Sequence, residues 1–189
     1  MSKIEYGTLR IIAGQWRGRK IQFPALPGLR PSPDRLRETL FNWLMPYIQG
    51  LVCLDLFAGS GILSFEALSR GAAGVVAIDQ SPIVIAKLKE TAKILNANQL
   101  ESICATWPKL PAFNNLFDLV FLDPPFNLGL VEPCCDWLEK NNLLKPSAWI
   151  YIECERGGAL PKVPDNWVLF REMQTQQVRA MLYSRVSIK

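Results

Sequence analysis

The chain has 189 residues, 49% of them apolar, a length and composition suited to one α/β domain with a single sizeable core. It contains no histidine, which excludes Ser-His-Asp and Cys-His catalysis and every His-ligated metal site. The net charge of +4 is segregated: residues 1–40 hold eight Lys/Arg against three Asp/Glu, and the other 149 hold thirteen against fourteen.

In chain order, residues 8–12 and 20–23 read as two short strands around the turn-rich stretch 13–19, a basic hairpin. Pro24, Pro27, Pro31 and Pro33 then impose an extended connection. From Asp34, the spacing of Leu36, Leu40, Trp43 and Leu44 predicts a helix, with Asp34 as its N-cap and Pro46 as its stop. Apolar runs at 52–57, 75–78, 119–122 and 149–154 predict buried parallel strands, with a weaker one at 102–105. Helical patterns at 62–69, 83–95 and 130–140 lie between them. This alternation predicts a doubly wound α/β sheet that binds ligands at the carboxyl ends of its strands. Residues 167–173 and 178–186 are strand-like with no helix between them, so they pair as a hairpin and leave one antiparallel strand.

The five cysteines are odd in number and form no C-x-x-C pair, against both a disulfide framework and a zinc knuckle. With no signal-like start and no apolar run of membrane length, a cytoplasmic protein with neither metal nor membrane partner is expected.

Two constellations carry chemistry. The first is LDLFAGSG, residues 54–61, where the first buried strand meets its helix. Gly59 and Gly61 lack the Cβ atoms that would hold a nucleoside away, and the helix start offers free N–H groups. Asp55 ends the strand, where it can attract the amino group of a methionine moiety. Asp79, eighteen residues after Gly61, closes the second strand and suits two ribose hydroxyls. Alone, this set fits NAD or S-adenosylmethionine.

The second constellation, VFLDPPF at 120–126, ends the fourth strand and selects S-adenosylmethionine. Two prolines stiffen the loop and present only carbonyl acceptors. Asp123 and the Pro124 carbonyl can take the two N–H bonds of an amino group on a planar base, and Phe126 offers a face for stacking. Pro133-Cys134 falls in the predicted helix after this loop, so Cys134 and Cys135 read as packing thiols rather than nucleophiles. Trp16, between Gln15 and Arg17, is the tryptophan read as exposed for RNA, with hairpin packing as the equal alternative.

The Gly loop, Asp79 and DPPF together resemble class I amino-methyltransferases. RIIAGQWRGRKIQFP with LRPSPDRLRETLFNWL resembles the RsmD family in particular, over residues 9–183. The resemblance implies a Rossmann-like, seven-stranded, mostly parallel sheet with the last strand antiparallel, preceded by the N-terminal hairpin. It implies methylation of a guanine N2 in bacterial 16S ribosomal RNA, guanine 966, with naked RNA or the small subunit as partner. It divides the chain into an RNA-contacting extension, 1–46, and a methyltransferase domain, 47–189. Arg10, Arg17, Arg19, Lys20, Arg30 and Arg37 are the expected phosphate contacts. Two departures stand out: Cys104 to Trp107 lack the acidic residue often found near the adenine, and Gln176-Gln177-Val178 lack an expected hairpin glycine. A DNA adenine N6-methyltransferase would share DPPF, but needs a target-recognition domain for which the chain has no room. A nicotinamide-dependent reductase leaves DPPF unexplained, and a non-catalytic ribosome-assembly protein predicts RNA binding without turnover.

Overall fold

The computed structural model describes residues 5–26, 32–126 and 128–187. Strands β1 (Tyr6–Arg10) and β2 (Lys20–Pro24) pair antiparallel, with Arg10 opposite Lys20. Helix α1 (Asp34–Leu44) follows, then β3 (Val52–Asp55), α2 (Ile62–Ser69), β4 (Gly74–Asp79), α3 (Pro82–Leu95), β5 (Leu100–Cys104), β6 (Phe117–Leu122), α4 (Val131–Lys140), β7 (Leu144–Glu155), β8 (Trp167–Gln174) and β9 (Val178–Arg185). The seven later strands form one sheet, ordered β5-β4-β3-β6-β7-β9-β8. β3 to β7 are mutually parallel, and β9 runs antiparallel to both β7 and β8. The expected single antiparallel strand is therefore present, inserted between β7 and β8. Its turn does without the glycine because no residue of 175–177 needs a left-handed backbone, and the Thr175 hydroxyl accepts the Val178 N–H at 3.0 Å.

Side-chain alternation in the strands builds two layers of core. Cys53, Val75, Ala77, Leu119, Phe121, Tyr151, Ala180 and Leu182 face α1, α2 and α3. Leu54, Val76, Ile78, Val120, Leu122, Ile150, Ile152, Met181 and Tyr183 face α4. In α1, Leu36, Leu40, Phe41 and Leu44 form one buried stripe, each contributing about 1.5–3 kcal/mol of burial. Asp34 is not the N-cap. Pro33 holds that position without a side-chain hydrogen bond, and the Asp34 carboxylate turns to Arg37 at 2.6 Å. Ser81 caps α3, with Pro82 beginning the helix.

The hairpin is sewn to α2. Glu66, fully buried, accepts the N–H groups of Ile12 at 2.8 Å and Ala13 at 3.0 Å, and the Ser69 hydroxyl donates to the Ala13 carbonyl at 2.6 Å. At Gly14 (φ +82°) any Cβ would meet the Ser69 carbonyl oxygen at 1.9 Å, so only glycine allows this approach. Trp16 is 9% exposed and lies in the core with Ile11 and Ile21, which corrects its expected role as an exposed RNA contact. Cys134 and Cys135 are fully buried beneath the sheet, and burial raises both thiols far from thiolate character. No helix among the described residues is long and apolar enough to cross a membrane.

Candidate active site

β3 and β6 are adjacent, yet the chain leaves β3 toward β4 on one side and β6 toward β7 on the other. A crevice opens where strand order reverses in this way, at the carboxyl ends. Asp55 ends β3, Asp79 ends β4, and Asp123 follows β6 directly. The structure thus gathers Asp55, Gly59, Gly61, Asp79, Asp123, Pro124 and Phe126 along one rim.

The Gly loop is held from both sides. The Gly59 N–H donates to Asp79 Oδ2 at 3.0 Å, and the Ser81 N–H donates to Oδ1 at 2.8 Å. A carboxylate offers about four acceptor positions, so Asp79 keeps capacity for two hydroxyl donors. Gly61, the residue preceding α2, sits at φ +75°, and a Cβ there would meet Leu88 Cδ2 at 2.2 Å. The Ser64 hydroxyl donates to Asp55 Oδ2 at 2.6 Å. Burial nevertheless pushes the Asp55 carboxyl up to about 7, and the Asp79 charge adds to the rise.

One acidic residue escaped the sequence reading. Glu153 lies within the apolar run of β7 and is 2% exposed. Strand register explains its place: Asp55 pairs with Phe121, and Phe121 with Tyr151. Two residues onward on the same face, Asp123 and Glu153 are neighbours. Ser32 joins them, its hydroxyl 2.7 Å from Glu153 Oε1 and 3.3 Å from Asp123 Oδ2, while the Tyr151 hydroxyl donates to Glu153 Oε1 at 2.8 Å. Burial first, then the charges of Glu153 and Asp55, hold Asp123 well above the usual carboxylate range. Burial likewise raises Glu153. The signal that could have found Glu153 was a carboxylate inside a buried strand, which needs partners. A cavity of about 460 Å³ beside this pair is lined by Pro124, Pro125, Phe126, Glu153 and the 158–161 loop.

The expected phosphate contacts separate. Arg10, Arg17, Arg19 and Lys20 are exposed on the hairpin. Arg30 lies outside the described residues. Arg37 is fully buried against Asp34 and Glu66 and donates to the Arg10 carbonyl at 3.2 Å, so it is a structural cation and not a phosphate contact.

The rim also tests the cofactor. Asp55 and Asp79, on either side of the Gly loop, have no ion-pair partner among the described residues. Such a rim attracts a cationic sulfonium and ammonium, and repels the pyrophosphate of a dinucleotide. The order of the sheet, the glycine turn and this acidic rim define a class I methyltransferase with S-adenosylmethionine as its cofactor. Residues 9–184 match the family model described as Conserved hypothetical protein 95. The chain is 46% identical to ribosomal RNA small subunit methyltransferase D of Escherichia coli K12, over 95% of this chain and 91% of that protein. It is also 46% identical to the Haemophilus influenzae protein of the same name, over 94% of each. The solved structure of Escherichia coli yhhF superposes with a TM-score of 0.88 at 44% identity, covering 95% of this chain and 99% of that one. The chain belongs to the RsmD family.

Proposed function

We propose that this methyltransferase acts on ribosomal RNA and delivers the methyl group to the exocyclic N2 of a guanine in the 16S chain, guanine 966. The observation that carries this reading is the position of Asp123 and Pro124 directly after β6, with Pro124, Phe126 and Glu153 lining a cavity of about 460 Å³. A base amine needs two acceptors for its N–H bonds and an apolar face for its ring, and these residues supply both. The cavity is of the size typical for small planar ligands.

S-adenosylmethionine supplies an electrophilic methyl group when bound. Asp79 and the Gly loop would hold its nucleoside, and Asp55 its ammonium group. Asp123 and the Pro124 carbonyl accept the amine hydrogens, turn the nitrogen lone pair away from conjugation and aim it at the methyl carbon. Most of the rate acceleration then comes from orientation at a near-attack distance of about 3–3.5 Å. Asp123 receives the proton that the methylated nitrogen releases. A base stacked in a helix cannot enter this cavity, so the target guanine is unstacked or in a loop, with Phe126 against its ring.

Residues 1–46 serve as the RNA-contacting extension, with Arg10, Arg17, Arg19 and Lys20, and Arg30 from the segment that follows, meeting phosphates. Work on ribosomal RNA would place the protein in the cytoplasm. The test is transfer of a tritiated methyl group to protein-free 16S RNA and to small subunits, with nucleoside analysis of the product. N2-methylguanosine supports the reading; N6-methyladenine, or binding without turnover, overturns it.

A further inference from the structure

Three hydroxyl and carboxyl groups from distant parts of the chain meet behind Asp123. Ser32 comes from the segment before α1, and Tyr151 and Glu153 come from one face of β7. Ser32 is 4% exposed and Tyr151 is fully buried. A carboxylate buried in an apolar strand is costly, and the partners of Glu153 among the described residues are two neutral hydroxyls on the same oxygen. So costly an arrangement beside the substrate pocket calls for a chemical reason.

The bridge has a direction. A serine hydroxyl carries one hydrogen and two lone pairs, so Ser32 can donate to only one carboxylate at a time. The shorter contact, 2.7 Å, gives that hydrogen to Glu153. The 3.3 Å contact to Asp123 becomes a hydrogen bond when Asp123 carries a proton and donates it to the Ser32 oxygen. The arrangement is therefore matched to the protonated form of Asp123.

We propose that Ser32 and Glu153 are positioning residues of the methyl transfer, acting through Asp123 by taking over the proton that leaves the methylated amine. This rests on the reading of Asp123 as the amine's acceptor. As the nitrogen–carbon bond forms, the carbon–sulfur bond breaks and its electron pair stays on sulfur. The N–H proton passes to Asp123. Asp123 then gives a proton to the Ser32 oxygen while Ser32 gives its own hydrogen to Glu153 Oε1. Asp123 is again a carboxylate, Glu153 is neutral, and Glu153 returns the proton to water through the cavity it lines. The groups facing Asp123 are Glu153 and Tyr151 from β7, Asp55 from β3 and Ser32, with no cation among the described residues. The negative charge of Glu153 is one cause of the raised Asp123 carboxyl, so removing that charge makes Asp123 easier to ionise.

The test is the single-turnover rate on 16S RNA against pH for the whole protein and its variants. Glu153→Gln keeps the shape and an acceptor for both hydroxyls but removes the charge. It should lower the plateau rate, because an amide cannot take the proton, and move the acid limb of the profile to lower pH, leaving S-adenosylmethionine affinity unchanged. Ser32→Ala should lower the plateau rate by about tenfold or more, and Ser32→Thr, which keeps the hydroxyl, should recover most of it. An acid limb for Glu153→Gln that coincides with the wild type overturns the proposal, and so does a wild-type rate for folded Ser32→Ala. Should Ser32→Ala unfold, the plateau rate of Glu153→Gln decides alone, a wild-type plateau overturning the proposal. Asp123→Ala separates the two levels: full activity there refutes the acceptor reading itself, whereas an inactive Asp123→Ala beside wild-type profiles at 32 and 153 refutes only the proton path.

Discussion

Arg37 and Glu66 form an ion pair in which neither side chain touches solvent, the closest nitrogen and oxygen lying 3.7 Å apart. Glu66 also accepts two backbone N–H groups from the hairpin and pairs with Arg70 at 2.7 Å, so one carboxylate ties the N-terminal extension to α1 and α2. Removing one partner of a buried pair leaves the other charge without compensation. Glu66→Ala should therefore cost roughly 3–5 kcal/mol of unfolding free energy in a urea titration. A loss below about 1 kcal/mol, the range of surface pairs, would show that the junction is held by apolar packing alone.

The exposed cations of the hairpin should behave differently. Replacing Arg17, Arg19 and Lys20 with Gln should leave stability within about 0.5 kcal/mol, as for surface positions in general. For every phosphate that is no longer neutralised, the salt dependence of RNA binding should flatten by about 0.7–0.9 in log–log slope. An unchanged slope by filter binding across a salt series would mean that RNA is gripped elsewhere.

Asp55 links cofactor binding to pH. Its carboxyl is raised to about 7 in the folded protein from an ordinary 3.8, so the folded state holds this proton more tightly than the unfolded one. The stability it contributes is fully present below pH 3.8 and is lost as pH rises through 7. A cationic ammonium beside Asp55 favours its charged form, so S-adenosylmethionine affinity should rise between pH 6 and pH 8, with proton release on binding near pH 7. Calorimetry in two buffers of different ionisation enthalpy measures that release directly. Asp55→Asn should abolish it.

Asp79 has two duties, because it receives the Gly59 and Ser81 N–H groups as well as facing the nucleoside site. Asp79→Ala should weaken S-adenosylmethionine binding and also lower stability by roughly 1–3 kcal/mol, since two donors lose a charged acceptor. Across the same acidic rim NAD should not bind at all. Comparable NAD affinity by calorimetry would sink the electrostatic argument.

Asp123→Ala should lose most single-turnover activity at unchanged cofactor affinity, while Asp123→Asn, which keeps a carbonyl acceptor, should retain a measurable fraction. General-base contributions of this kind are about 10²–10⁴-fold. A near wild-type rate for the alanine variant would remove the amine clamp from the mechanism.

The rim was legible where local pattern decides structure. The glycine turn, Asp79 and DPPF announce themselves by spacing, and the strands beneath them are unbroken apolar runs. Arg37 misled because counting charge ignores direction. It precedes Leu40 and Phe41 by three and four positions, which puts it on the buried stripe of α1, where only a tertiary partner such as Glu66 makes a cation tolerable. Trp16 was ambiguous for the same reason, since its neighbours are polar and its burial depends on α2. Ser32 and Glu153 were invisible as a pair because they stand 121 positions apart in the chain and only strand register brings them together.

The placement of β9 also sets a clock on the enzyme's birth. β7 carries Tyr151 and Glu153, yet its second edge has no partner until residues 178–185 have been made, because β9 enters between β7 and β8. While the ribosome extends the chain through β8, the nascent sheet keeps an open apolar edge along the strand that carries Glu153. Insertion of β9 closes that edge and pairs Glu153 with Ala180, on top of the register that β6 already gives β7. Closure of the sheet thus waits for the strand made last, and a nascent chain halted before β9 would carry an open apolar edge and be a ready substrate for chaperones.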